Sequence, residues 1–179
     1  AKIIPNRGAW LEFETDIDGS IGVKIDRHRK VPVTDLLRIF GASEEMIQSS
    51  FKDVDTGTTK YITSTLKKDG AKDVAESYVE IYRRLRPSDP ATPETAKSLI
   101  DSMFKRFDRY DISEVGRFKM NQRLNLDRKN TIRLLELSDL VAIVREIIVL
   151  NNTSGAEPDD IDHLGNRRLK TVGELLQGR

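Results

Sequence analysis

The residues that could do chemistry in this sequence fall in three places. Asp159, Asp160, Asp162 and His163 gather potential oxygen and nitrogen ligands in one short stretch. As a metal site the cluster is poor. A calcium loop needs oxygen ligands at alternating positions and a glycine at the sixth, and Leu164 and Gly165 break that pattern when it is counted from Asp160. A second reading is a loop whose carboxylates cap backbone N–H groups or pair with Arg167 and Arg168. Trp10, the one tryptophan, has two readings as well. Its indole could pack under a neighbouring helix, or it could be a presented platform that stacks an unpaired base for roughly 1–3 kcal/mol. The third group is basic: Arg27-His28-Arg29-Lys30, Arg83-Arg84-Leu85-Arg86 and Arg167-Arg168-Leu169-Lys170. Such runs either meet phosphates, arginine as a planar fork and lysine as a point charge, or lie as solvated faces.

Composition narrows the chemistry. With no cysteine and only His28 and His163, thiolate sites, disulfides and multi-histidine metal sites are excluded. Thirty Lys and Arg against 29 Asp and Glu leave a net charge of +1, so any nucleic-acid contact must come from local patches. Apolar residues at 37% and charged residues at 33% of 179 describe a folded chain with a dense polar surface. No apolar run approaches the roughly 20 residues of a membrane span, and no basic-apolar-small leader pattern opens the sequence. The expectation is a cytoplasmic, monomeric chain with no membrane partner.

The elements that must position these residues follow from periodicity. Trp10 to Thr15 and Ile21 to Asp26 flank an Asp18-Gly19 turn and read as a hairpin. Alternation puts Leu11, Phe13, Ile21, Val23 and Ile25 on one face, with Trp10, Glu12 and Glu14 on the other. After Pro32 the period becomes helical. Leu36, Leu37 and Phe40 form a short helix that stops at Gly41, and Ser43 caps one carrying Met46, Ile47 and Phe51. Val54 to Thr59 reads as a loop, and Tyr61, Ile62 and Leu66 as a short helix. Val74, Tyr78, Ile81, Tyr82 and Leu85 mark a clear amphipathic helix that ends at Arg86-Pro87.

Three prolines between Arg86 and Pro93 make the next connection stiff and extended. Thr92 then caps a helix with Pro93 at its first position and Ala96, Leu99, Ile100, Met103, Phe104 and Phe107 as its buried stripe. Further helices are expected from Ser113 to about Leu124, from a Ser138 cap through Leu140, Ile143, Val144, Ile147 and Ile148, and from a Thr171 cap to Gln177. The fold class is therefore α+β and mostly helical: an N-terminal antiparallel hairpin or small sheet packed with a bundle of about six helices. Residues 1–31 form the hairpin part, 32–150 the helical part, and 151–179 an irregular loop with a terminal helix, all within one unit.

Three ordered segments resemble the lobe of the bacterial RNA polymerase β subunit. The first is Ala1-Lys2-Ile3-Ile4-Pro5 with Arg7-Gly8-Ala9-Trp10-Leu11-Glu12-Phe13-Glu14 and Ile25-Asp26-Arg27-His28-Arg29-Lys30. The second is Val79-Glu80-Ile81-Tyr82-Arg83-Arg84-Leu85-Arg86-Pro87, followed by Arg109-Tyr110-Asp111-Ile112 and Val115-Gly116-Arg117. The third, and the most specific, is the unbroken run Asp159-Asp160-Ile161-Asp162-His163-Leu164-Gly165-Asn166-Arg167-Arg168, with Val172-Gly173-Glu174-Leu175 behind it. The resemblance spans the chain and is weakest over 51–59 and 126–137.

The resemblance implies that the chain is a piece of that subunit, a wall of the downstream DNA cleft. On this reading the rifampicin-pocket and fork residues lie beyond its C-terminus, and the protrusion strands lie before Ala1. It implies a pocket for the unpaired non-template strand, in which Trp10 stacks a base, Asp162 accepts hydrogen bonds from a guanine edge, Ile161 is an apolar wall and Arg167 holds phosphate or base. Arg27, Arg29 and Lys30 would meet phosphates beside it. The stiff loop with Arg83, Arg86 and Pro87 would be touched by elongation factors. Implied partners are the other polymerase subunits, promoter and downstream DNA, sigma factor and elongation factors, in the nucleoid. The resemblance places no catalytic centre and no cofactor here, because the catalytic Mg²⁺ would be held by another subunit of the nucleotidyltransferase. The alternative is a surface for transcription factors that makes no nucleic-acid contact.

Overall fold

The computed structural model describes residues 1–157, 159, 160, 163–166, 169 and 171–177. The expected hairpin is the centre of a four-stranded antiparallel sheet in sequential order: β1 (Lys2–Ile3), β2 (Leu11–Thr15), β3 (Ile21–Ile25) and β4 (Val31–Pro32). Leu11 pairs with Ile25 and Thr15 with Ile21, which sets the register across the Asp16–Ser20 turn. Leu11, Phe13, Ile21, Val23 and Ile25 are all buried, and Glu12 and Glu14 point to the other face, as alternation requires. The two-residue edge strands β1 and β4 are too short to carry a periodic signal.

Eight α-helices follow among the described residues, and the class is α+β and mostly helical as expected. They are α1 (Val33–Ile39), α2 (Glu44–Phe51), α3 (Tyr61–Lys68), α4 (Val74–Leu85), α5 (Pro93–Phe104), α6 (Ser113–Leu124), α7 (Leu137–Asn152) and α8 (Val172–Gln177), with a 3₁₀ turn at Leu164–Asn166. Helix α1 is buried along its whole length and packs on β3, β4, α4 and α7. Helix α3 closes on β3, where the Ile21 N–H donates to the buried Thr65 Oγ1 at 2.9 Å. A single hydrophobic cluster runs from Ile3 on the sheet to Ile148 on α7. No helix among the described residues is long and apolar enough to cross a membrane.

Local chemistry accounts for most boundaries. Gly41, at φ +104°, ends the first helix, and the Ser43 Oγ accepts from the Met46 N–H at 3.1 Å to start the second. Thr92 and Thr95 form a reciprocal cap with Pro93 at the first position of α5. Three expectations are corrected. Helix α7 is capped by Glu136 and not by Ser138, because Asp139 reaches back to the Glu136 N–H at 2.9 Å; Ser138 instead takes a hydrogen bond from Arg128. Phe107 lies past the end of α5 and is 52% exposed, with the Arg133 guanidinium 4.9 Å from its ring centre. Met46 is 43% exposed, since only Ile47 and Phe51 of α2 face the core.

Candidate nucleic-acid interface

Trp10 stands just before β2, half-buried and outside the hydrophobic cluster. Its backbone is held from both sides by Asp26: the Trp10 N–H donates to Asp26 Oδ1 at 2.8 Å, and the Asp26 N–H donates to the Trp10 carbonyl at 3.0 Å. Asp26 and Arg27 both take left-handed backbone, at φ 48° and 63°, and the His28 N–H closes the turn on the Ile25 carbonyl at 2.9 Å. Two left-handed central residues are the mark of a primed turn, whose twist matches the strand it leaves. Aspartate tolerates this region, whereas arginine enters it at a cost of about 1–2 kcal/mol. The turn sets Arg27 beside the indole, with its Cζ 5.0 Å from the ring centre, and Lys2 Nζ stands 5.1 Å away. Trp10, Asp26 and Arg27 line a cavity of about 240 Å³.

Ion pairs cover the rest of this sheet face and the turn between β2 and β3. Lys2 meets Glu12 at 2.7 Å, Lys24 meets Glu14 at 2.6 Å, and Lys68 meets Asp18 at 2.6 Å. Hydrogen bonds from Lys68 and Ser20 hold the Asp18 carboxyl at about 2, and the bond from Lys2 pulls Glu12 below the usual range. The three cations of the Arg27-Arg29-Lys30 group therefore differ. Lys30 is bound to Asp16 and lies 3.8 Å from Glu14. Arg29 is exposed, and neither it nor Arg27 makes an ion pair or side-chain hydrogen bond among the described residues.

Ile161, Asp162 and Arg167 lie outside the described residues, so the structure does not bring them to Trp10 or keep them from it. Their described neighbours act structurally. Asp159 takes two hydrogen bonds from Arg123 of α6, at 2.9 and 3.1 Å, and Arg123 also reaches Glu146 of α7 at 2.7 Å. Asp160 accepts from the His163 N–H at 3.2 Å. No group of acids and histidines able to hold a metal occurs among the described residues. At the end of α4, Arg83 pairs with Glu80 at 3.1 Å and Arg86 with Asp89 at 3.5 Å, and Pro87 is exposed beside them.

Residues to which the sequence assigned no site role hold the segment that leads into Trp10. Arg7 and Asp111 exchange backbone hydrogen bonds at 3.1 and 2.9 Å. Gly8, at φ +116°, lies against Tyr110 so closely that a Cβ there would fall 2.6 Å from its ring. Asp111 also accepts from Arg133 and from the Ser113 N–H, at 2.9 and 2.7 Å. Deeper still, Arg117 and Asp139 form a fully buried bidentate pair at 2.6 and 2.9 Å. Arg117 also donates to the Ile132 and Leu134 carbonyls, each at 2.7 Å. The signal for this pair was slight: an arginine four residues after a helix start, on an otherwise polar helix. The Arg7-Gly8 and Arg109-Tyr110-Asp111 runs, a hundred residues apart in sequence, are thus one joint in space.

A family model described as RNA polymerase Rpb2, domain 2, matches residues 1–170. The chain belongs to this family. Sequences similar to it include a DNA-directed RNA polymerase subunit beta of Chloroflexus aggregans, 44% identical over 209 residues, which cover 99% of the chain and 17% of the relative. Another, from Dehalococcoides mccartyi, is 46% identical over 183 residues, covering 99% of the chain and 14% of the relative. The chain thus spans about one-sixth or less of the length of these relatives. All three segments that carried the resemblance begin within the matched span, and Trp10 and the Asp26-Arg27 turn lie inside it.

Proposed function

We propose that this domain serves transcription as part of the β subunit of a bacterial DNA-directed RNA polymerase, a nucleotidyltransferase. Its place is the wall of the downstream DNA cleft, where it contacts the non-template strand and downstream duplex, with sigma factor, elongation factors and the other subunits as partners. The observation that carries this reading is the Trp10 niche. A half-exposed indole is fixed by Asp26 on the polar face of a sheet and ringed by cations, outside the core that would otherwise explain it. Stacking on an aromatic face is blind to base identity, so a carboxylate must supply any discrimination. Asp162 has that role, with Ile161 as the apolar wall and Arg167 on phosphate or base. Arg27 and Arg29 supply positive charge beside it. The catalytic Mg²⁺ belongs to another subunit, and this domain guides strands without transferring phosphoryl groups. Its machinery is cytoplasmic.

The test is to place Trp10→Ala and Asp162→Ala in an intact polymerase that carries this domain. Both should shorten the open-complex lifetime, and Asp162→Ala should also abolish the response to a guanine at the downstream edge of the bubble. Unchanged lifetimes and an unchanged base response would refute the reading. The exposed loop of Arg86, Pro87 and Asp89 favours a second role, as a factor-binding surface. Its prolines leave little entropy to lose on docking.

A further inference from the structure

The indole that would receive a base is already occupied. Arg27 and Lys2 approach it from the two sides of β2, since β1 and β3 flank that strand. They are not equivalent. Lys2 is tied to Glu12 at 2.7 Å. Arg27 makes no ion pair or side-chain hydrogen bond among the described residues, though its charge helps to hold the Glu12 carboxyl down, and its backbone is fixed in a left-handed turn that Asp26 pins to Trp10. The result is a guanidinium anchored at its base, with no hydrogen bond to hold its head, lying against the surface a nucleobase would need.

We infer that Arg27 is an exchangeable lid on Trp10: a phosphate of single-stranded nucleic acid draws the guanidinium off the indole, and the adjacent base takes its place. An exposed cation–π contact is weaker than the stack and the charge-assisted phosphate contact that replace it, so both halves of the exchange run forward. A strand that offers phosphate without a base would uncover the ring and leave it open. A base without phosphate would have to displace the lid unaided. Arg27 is thus a positioning residue that couples backbone contact to base capture, and this role rests on the reading of Trp10 as a base platform.

The sole tryptophan makes the exchange visible, because all indole fluorescence of the 179-residue chain comes from Trp10. The measurement is acrylamide quenching with a short thymidine strand and with an abasic strand of equal phosphate count. For the unmodified chain, the abasic strand should increase quenching and the thymidine strand should decrease it. Arg27→Gly suits the left-handed backbone and keeps the turn, which circular dichroism checks. Its ring should already be accessible, the abasic strand should cause no further rise, and the salt slope of thymidine-strand binding should fall by about 0.7. Arg27→Lys should restore the slope and part of the shielding. The lid is overturned if the abasic strand fails to bind at low salt, if it binds without uncovering Trp10, or if Arg27→Gly leaves the free ring as shielded as before. If the thymidine strand fails to shield Trp10 in both proteins, the platform itself is wrong; if it shields both and only the uncovering is missing, the lid alone falls.

Discussion

Asp35 shows how far a single residue can depart from its expected chemistry. It sits in α1 at 1% exposure, 3.5 Å from an Arg38 guanidinium that is turned toward Asp69 at 2.5 Å and Glu44 at 3.0 Å, and its Oδ1 has no hydrogen-bond partner. Burial first, and then the charge of Asp69, pushes its carboxyl up to about 7. In the unfolded chain the group titrates near 3.8. Between those values the folded state holds a proton that the unfolded state has released, so this contribution to stability falls as pH rises through the window and is level above it. Asp18 and Asp101 run the other way. Hydrogen bonds hold both at about 2, and the stability they add is lost only as pH drops below the ordinary carboxylate range. Asp35→Asn should therefore stabilise the chain at about pH 8 and flatten its stability profile between about pH 4 and 7, as read by urea midpoints. A midpoint gain of the same size at about pH 4 and pH 8 would show that the charge is not the cause.

At the scale of elements, α6 and α7 are joined by charge as well as by apolar packing. Arg117 and Asp139 are both fully buried, and Asp139 also closes the N-terminus of α7 through the Glu136 N–H. Removing one member of a buried pair strands the other, at about 3–5 kcal/mol, so Asp139→Asn and Arg117→Met should each destabilise in that range. Removing both should cost less than the sum, because no lone charge remains. A double-mutant cycle by chemical denaturation measures this, and strict additivity would count against the pair as a coupled unit. The Thr92 cap and the Gly41 stop needed no tertiary partner, and both stand where local rules place them.

Across the whole molecule, one joint links two segments that lie a hundred residues apart in sequence. The Arg7–Asp111 bridge ties the segment before β2 to the segment before α6, and Gly8 permits that approach. Gly8→Ala would meet strained backbone at φ +116° and a Cβ 2.6 Å from the Tyr110 ring and 2.8 Å from the Arg109 carbonyl. The expected loss is about 2 kcal/mol or more. Faster hydrogen exchange at the Arg7 and Asp111 amides, with a shift in Trp10 emission, would mark the joint loosening. Unchanged exchange at both amides would show that the joint does not depend on the glycine. Because Trp10 lies two residues from Gly8, the niche inherits its placement from this joint.

The α+β class, the inward face of the hairpin, the caps at Ser43 and Thr92 and the run of Ser113 to Leu124 were all legible in the sequence, because each depends on neighbours within a few residues. So was the family, through unbroken runs. The sequence could not show that Phe107 and Met46 point outward, since periodicity continues past the residue where a helix stops or its face turns from the core. Nor could it show that α7 would be capped at Glu136 and not at Ser138, since the Asp139 carboxylate that reaches back to the Glu136 N–H is also held by Arg117 of α6. Trp10 was assigned to the polar side by alternation alone. Only the tertiary structure decided what surrounds it there, because Lys2 of β1 and Arg27 of the turn after β3 reach the ring from either side of β2, and contacts between neighbouring segments of a sheet carry no signature in the order of residues.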